Sequence, residues 1–158
     1  MWVRSSIRPR TKGPNFMGPD ARSLLLARDW VAAADRQLDL ARAASERRMA
    51  NETVSLAAAA AERYLKATLA YANRTFEYTH NIDRLLSKVD DDVREAVDRV
   101  LPARVRQQLT DGGTVARYPG GPSYPSADAA VALQAVEAAR LALMATRPDL
   151  FGGIPEVR

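Results

Sequence analysis

The sequence predicts an all-α protein that folds as an antiparallel bundle of four to five helices. Alanine is abundant, and apolar residues recur at spacings of three and four over long stretches. No stretch shows the alternation of apolar and polar residues that is typical of a strand. With 158 residues, the chain suits one domain with a buried core.

Two long helices are predicted first, each with one apolar stripe. The first runs from about residue 21 to 49, and the second from about 53 to 72 with Thr53 as its N-cap. Small side chains at residues 57–61 would allow another helix to approach the second one closely. The stripe residues are Trp30, Ala34, Leu38 and Ala41 in the first helix, and Leu56, Ala60, Tyr64 and Leu69 in the second.

Shorter helices are predicted after a junction at residues 73–79. Thr79 or Asn81 would cap a short third helix. The acidic run 90–92 favours a further helix start, because acids are stabilised at the positive end of the helix dipole. Pro102 interrupts or restarts that helix, which we expect to end near residue 109.

One long loop and one last helix complete the predicted bundle. Residues 110–125 hold four glycines and three prolines, which is typical of a loop. Ser126 would cap a final helix that runs to about residue 146. The predicted organisation is therefore a basic arm at 1–19, a helical bundle at 20–147 and a loose tail at 148–158.

The positive charge of the chain is concentrated at its start. Residues 1–22 carry five basic and one acidic side chain, whereas residues 23–158 carry 18 of each, which sum to zero. The bundle itself is therefore neutral. The arm either contacts phosphates or is a solvated leader.

Composition also excludes several kinds of site. The chain has no cysteine and one histidine, which excludes disulfides, thiolate metal sites and the usual zinc sites. The acids at 90–92 and Glu95 are candidates for magnesium, but a solvated helix start is the favoured explanation. We expect no metal and no cofactor. We found neither a run of about 20 apolar residues nor the apolar core of a signal peptide, so we expect a cytoplasmic protein that is not bound to a membrane.

Four segments in a fixed order resemble the HEPN domain, named for higher eukaryotes and prokaryotes nucleotide-binding. The resemblance covers about residues 20 to 146. The segments are DWVAAADRQLDLA (29–41), AAAAAERYLKATLAY (57–71), THNIDRLL (79–86) and ARYPGGPSYPSADAAVALQAVEAARLAL (116–143).

The resemblance implies a helical bundle that often forms homodimers, and it implies two functional classes. One class comprises metal-independent endoribonucleases, including toxins that pair with a nucleotidyltransferase antitoxin. Their site contains an arginine followed four to six residues later by a histidine, and two copies meet across the dimer. The other class comprises non-catalytic modules that bind nucleotides, other ligands or a nucleotidyltransferase. A plain protein-interaction bundle is a third possibility.

Arg74 and His80 have the spacing of the nuclease pair. His80 would act as general acid or base, and Arg74 would stabilise the phosphorane, with a further hydrogen bond from Tyr78 or Asn73. The chain departs from the nuclease branch of the family, in which the pair usually precedes the last helix. That place here holds Arg117 and no histidine. The Thr79-His80 position instead resembles a histidine common in the other branch. The structural alternative is that His80 caps or packs at a helix start, while Arg74 favours a helix C-terminus.

Two further pairs are weaker candidates. Arg117 and Tyr118 could contact phosphate and stack on a base, or could anchor the loop. Glu62 and Lys66 lie one turn apart on the second helix and form either an exposed ion pair or a support for the site.

Overall fold

The predicted all-α bundle is confirmed in the computed structural model, which describes residues 19–114, 119–121 and 123–152. The described residues contain six α-helices and one 3-10 helix, and no strand. The helices are α1 (Ala21–Glu46), α2 (Ala50–Tyr71), α3 (Ile82–Leu86), α4 (Asp91–Asp98), α5 (Ala103–Thr114) and α6 (Ser126–Thr146), followed by the 3-10 helix Pro148–Leu150.

Helix α2 is the centre of the bundle. It packs against α1, α3, α5 and α6, and fifteen of its 22 residues are buried. Alanines at the α1–α2 interface, including Ala34, Ala57 and Ala60, are fully buried. Because their side chains are small, the two helices can approach closely. Larger residues, such as Leu38 and Leu69, fill the remaining core.

Helix α5 is longer than the sequence predicts. It continues through Gly112 and Gly113 to Thr114, although residues 110–114 were expected to lie in the loop. Both glycines are buried against α2. A Cβ atom on Gly112 would lie 2.5 Å from Cγ1 of Val54, so the absent side chain permits this helix contact. The expected loop at residues 110–114 was wrong because these glycines allow α5 to pack closely on α2 and do not end the helix.

The helix caps agree with the sequence in part. Of the two predicted caps of α3, Asn81 serves and Thr79 does not, since the Asn81 side chain accepts a hydrogen bond from the Arg84 N–H at 3.0 Å. Thr53 is not the N-cap of α2, because the helix begins one turn earlier and the Thr53 hydroxyl donates to the Met49 carbonyl at 2.8 Å. Likewise, Ser126 is the first residue of α6 and not its cap.

Helix α6 is the one described helix that is long and apolar enough to cross a membrane. The sequence analysis did not single it out. Its face formed by Ala132, Val136 and Leu143 is buried, and the helix packs against α2 and α4. Its composition is therefore that of a core helix and is weak evidence for a span.

Residues just after α6 also contribute to the core. The predicted tail begins with residues 148–151, which pack on the bundle instead of hanging loose. Leu150 is buried, and Phe151 lies 6.2 Å from the Tyr64 ring. Residues 1–18 of the predicted arm and residues 153–158 of the tail lie outside the described residues.

Candidate functional site

The candidate site begins where α2 ends. Asn73 adopts a left-handed conformation (φ 53°), which stops the helix. The Arg74 N–H then donates to the Leu69 carbonyl at 2.9 Å, and the Asn73 N–H to the Ala70 carbonyl at 3.0 Å. This pair of hydrogen bonds is a Schellman motif, so Asn73 has a defined structural role in turning the chain toward residues 76–80.

His80 is held by Glu62. Nδ1 of His80 lies 2.8 Å from Oε2 of Glu62, and the side chains are 30% and 13% exposed. An ionised carboxylate can only accept hydrogen bonds, so this contact favours the imidazole form that carries a proton on Nδ1. Nε2 has no hydrogen-bond partner in the part of the chain that the structure describes. His80 is thus oriented through one nitrogen and available through the other.

Lys66 anchors the other oxygen of the Glu62 carboxylate. Its ammonium forms an ion pair with Oε1, and only 5% of the Lys66 side chain is exposed. The expectation of an exposed Glu62–Lys66 pair is therefore wrong. The pair is enclosed because aromatic side chains that are distant in sequence cover it.

Three aromatic rings surround the Lys66 ammonium. Nζ lies 5.6 Å from the ring centroid of Trp30, 5.8 Å from that of Phe76 and 5.7 Å from that of Tyr78. Trp30 comes from α1, and its ring meets Phe76 edge to face at 5.7 Å. Each cation–π contact is worth about 0.5–2 kcal/mol, depending on exposure. We call Trp30, Phe76 and Tyr78 the aromatic box.

Tyr78 is both a wall of this box and the most exposed large side chain of the site. Its exposure is 90%, and its ring lies 5.3 Å from the His80 ring at an angle of 75°. Exposed aromatic rings provide a surface on which an unpaired base can stack. The site therefore presents a ring surface directly beside the imidazole.

Arg74 is engaged elsewhere. Its guanidinium donates to the Lys88 carbonyl at 2.6 Å and forms an ion pair with Asp90. In the described residues, no hydrogen bond joins Arg74 to His80. The Arg74 side chain is 42% exposed, so it remains accessible. Its catalytic role stays a prediction.

Acidic side chains at the start of α4 also have ion-pair partners. Arg147 pairs with Asp90 at 3.1 Å and with Asp92 at 2.8 Å. The hydrogen bonds from Arg147 hold the pKa of Asp92 below its ordinary value, against the opposing effect of burial. These acids therefore form part of an ion-pair network that connects α2, α4 and the end of α6.

A second polar cluster was missed by the sequence analysis. Asp35 accepts hydrogen bonds from Arg140, at 2.8 Å, and from the Tyr64 hydroxyl. Burial raises the pKa of Tyr64, and the hydrogen bond to Asp35 raises it further. Burial also raises the pKa of Asp35, but the hydrogen bonds from Arg140 and Tyr64 outweigh it, so that the net shift is downward. Because the partners are 29 and 105 residues apart, no local pattern could reveal them.

Arg117 and Tyr118 lie outside the described residues. Of the other candidates, the structure brings together His80, Glu62, Lys66 and Tyr78, while Arg74 and Asn73 sit at the helix end.

Comparison with known proteins gives one match. A family model described as "HEPN domain" matches residues 27–145, which is most of the chain. No curated protein matches the sequence. No solved structure matches it either.

Proposed function

This chain belongs to the HEPN domain family, and from that membership we propose that it is a metal-independent endoribonuclease whose reaction is centred on His80. Family membership supports a nucleotide- or RNA-related function. The observation that carries the finer proposal is the imidazole held by Glu62 beside the exposed ring of Tyr78.

The proposed reaction uses the 2′-hydroxyl of RNA as its nucleophile. This oxygen attacks the adjacent phosphorus, the bond from phosphorus to the 5′-oxygen breaks, and the products are a 2′,3′-cyclic phosphate and a 5′-hydroxyl. Nε2 of His80 either takes the proton of the 2′-hydroxyl or returns one to the leaving 5′-oxygen. Neither transfer needs a metal or a cofactor.

Substrate binding in this proposal involves Tyr78. An unpaired base would stack on its exposed ring, and stacking of this kind contributes about 1–3 kcal/mol per base. Bases within a duplex are already stacked on their neighbours and cannot use the ring. We therefore propose single-stranded RNA, or the loops of folded RNA, as the substrate class.

The phosphorane needs a positive partner, and one histidine serves only one of the two proton transfers. Arg74 could supply the charge by leaving the Lys88 carbonyl and Asp90, and Arg117 is the second candidate. A homodimer would bring a second His80 for the other transfer. We propose this dimer as the active form, in the cytoplasm, as the toxin half of a pair with a nucleotidyltransferase antitoxin.

The test is cleavage of a mixed RNA pool by the purified protein in the presence of EDTA. The wild type should cleave, and His80→Ala should lower the rate about 100- to 10,000-fold, which is the usual contribution of a general acid or base. Lys88→Ala, at an exposed position, is the matched control. Cleavage that persists in His80→Ala, or that requires added metal, would contradict the proposal.

A second function is supported by a separate observation. Because Arg74 is engaged by Asp90 and the Lys88 carbonyl, the chain could bind RNA or a nucleotide without cutting it. In that case the wild type would bind single-stranded RNA in a binding assay and would not cleave it. Arg74→Ala would then lower stability and leave affinity unchanged.

A further inference from the structure

Lys66 stands out because lysine is rarely so enclosed unless its charge is paired. Its partner Glu62 is also largely buried, with 13% of its side chain exposed. Removing two charges from water is unfavourable unless the pair has further partners. Here those partners exist: the aromatic box contacts the ammonium, and His80 contacts the carboxylate.

On the basis of the function proposed above, we propose that Glu62 and Lys66 are positioning residues, which hold His80 as the Nδ1–H tautomer and present Nε2 to the substrate. Neither residue touches the reacting atoms in this proposal. Both act through the orientation of the imidazole.

The geometry explains how the orientation is transmitted. Glu62 uses Oε1 for Lys66 and Oε2 for His80, so both carboxylate oxygens are occupied. With Oε1 anchored, rotation of the carboxylate would break the ion pair, and Oε2 therefore stays directed at Nδ1. The three rings of the aromatic box in turn contact the Lys66 ammonium.

The tautomer distinguishes positioning from a merely structural role. A neutral histidine in water favours the Nε2–H form, in which Nδ1 and not Nε2 is the free base. The nitrogen that carries the proton in a protein is set by the hydrogen bond that it makes. Glu62 therefore reverses the preference and leaves Nε2 as the basic nitrogen.

The experiment uses the fact that His80 is the only histidine in the chain. Nitrogen NMR of protein labelled with ¹⁵N-histidine then reports this imidazole without further assignment. Spectra are recorded at about pH 8.5, where an ordinary imidazole is neutral. We expect the Nδ1–H form in the wild type, mainly the Nε2–H form in Glu62→Ala, and a mixture in Lys66→Met. Lys88→Met, which removes an exposed lysine, is the matched control and should resemble the wild type.

Methionine is chosen at position 66 because it is long, apolar and compatible with aromatic neighbours, so that the bundle should still fold. Lys66→Arg provides a second variant, since its guanidinium keeps the charge and stacks on aromatic rings. Lys66→Arg should keep His80 in the Nδ1–H form, as in the wild type. The Nε2–H form in the wild type, or an unchanged tautomer in folded Lys66→Met, would overturn the proposal. If Lys66→Met does not fold, loss of the Nδ1–H form in folded Lys66→Arg would overturn it instead.

RNA cleavage measured on the same samples separates this proposal from the function on which it rests. We expect the rate to fall about 100-fold or more in Glu62→Ala, since the general acid or base is no longer oriented. If the wild type cleaves no RNA but shows the expected tautomers, the nuclease fails and the positioning role stands. If it cleaves RNA and Lys66→Met changes neither tautomer nor rate, the positioning role fails and the nuclease stands.

Discussion

Replacing Gly112 by alanine tests how closely α5 lies on α2. The added Cβ would lie 2.5 Å from Cγ1 of Val54, well inside the optimal separation of about 3.5–4.0 Å between carbon atoms. Val54 is fully buried, and its branched side chain has one strongly preferred rotamer in a helix. The contact can therefore be relieved only by moving a packed side chain or the helix itself.

The expected magnitude follows from two opposing effects. Forcing an extra methyl group into a packed core costs about 1–3 kcal/mol. Alanine is preferred over glycine inside a helix by about 0.5–1 kcal/mol. We expect Gly112→Ala to lower the free energy of unfolding by up to about 2.5 kcal/mol, the largest net value from these two ranges.

Gly113 is the matched control on the same helix. A Cβ there would lie 3.5 Å from the Ala58 Cβ, which is an ordinary contact. Gly113→Ala should therefore raise the free energy of unfolding by about 0.5–1 kcal/mol. The difference between the two variants isolates the packing cost, because the helix preference cancels.

The assay is urea unfolding followed by circular dichroism, with free energies from linear extrapolation. In a Val54→Ala background, Gly112→Ala should be neutral or stabilising, since Cγ1 is absent and the Val54 Cβ is 3.5 Å away. Equal or greater stability of Gly112→Ala relative to Gly113→Ala would refute the close approach of the two helices.

Three further outcomes are expected. Tyr78→Ala should weaken binding of single-stranded RNA by about 1–3 kcal/mol in fluorescence anisotropy, with Tyr78→Phe as control, and unchanged affinity would argue against stacking. It should also lower the free energy of unfolding by about 0.5–1 kcal/mol, because its exposed ring contacts the Lys66 ammonium. The lowered pKa values of Asp35 and Asp92 stabilise the fold above about pH 4, and this stability is lost as the pH falls through the lowered values. Arg147→Gln should therefore make the unfolding free energy fall less steeply below about pH 4, as measured by urea titrations at several pH values. An unchanged fall would contradict the role of Arg147 in lowering the pKa of Asp92. Tyr64→Phe should lower the unfolding free energy by about 0.5–1.5 kcal/mol, because a hydrogen bond is lost. It should leave the phenolate absorbance that develops near pH 10 unchanged, because the raised pKa of Tyr64 keeps its hydroxyl protonated there.

The sequence picks out four residues that lie together in the structure, but neither their connections nor the box residues Trp30 and Phe76. The sequence singles out His80, Tyr78, Glu62 and Lys66 because few residue types can move a proton, stack on a base or pair charges. It does not reveal that Glu62 joins His80 to Lys66, since eighteen residues and a chain reversal separate Glu62 from His80. Nor does it reveal that Asp90 engages Arg74.

Local sequence by itself determined the all-α class, the positions of the main helices and Asn81 as one of two candidate caps of α3. These features depend on the periodicity of apolar residues and on hydrogen bonds between near neighbours, which are properties of short segments. Only the tertiary structure decided that Lys66 is buried and that Gly112 and Gly113 belong to a helix. Burial depends on which distant elements lie against a side chain: Trp30 reaches Lys66 from α1, and Val54 meets Gly112 from α2.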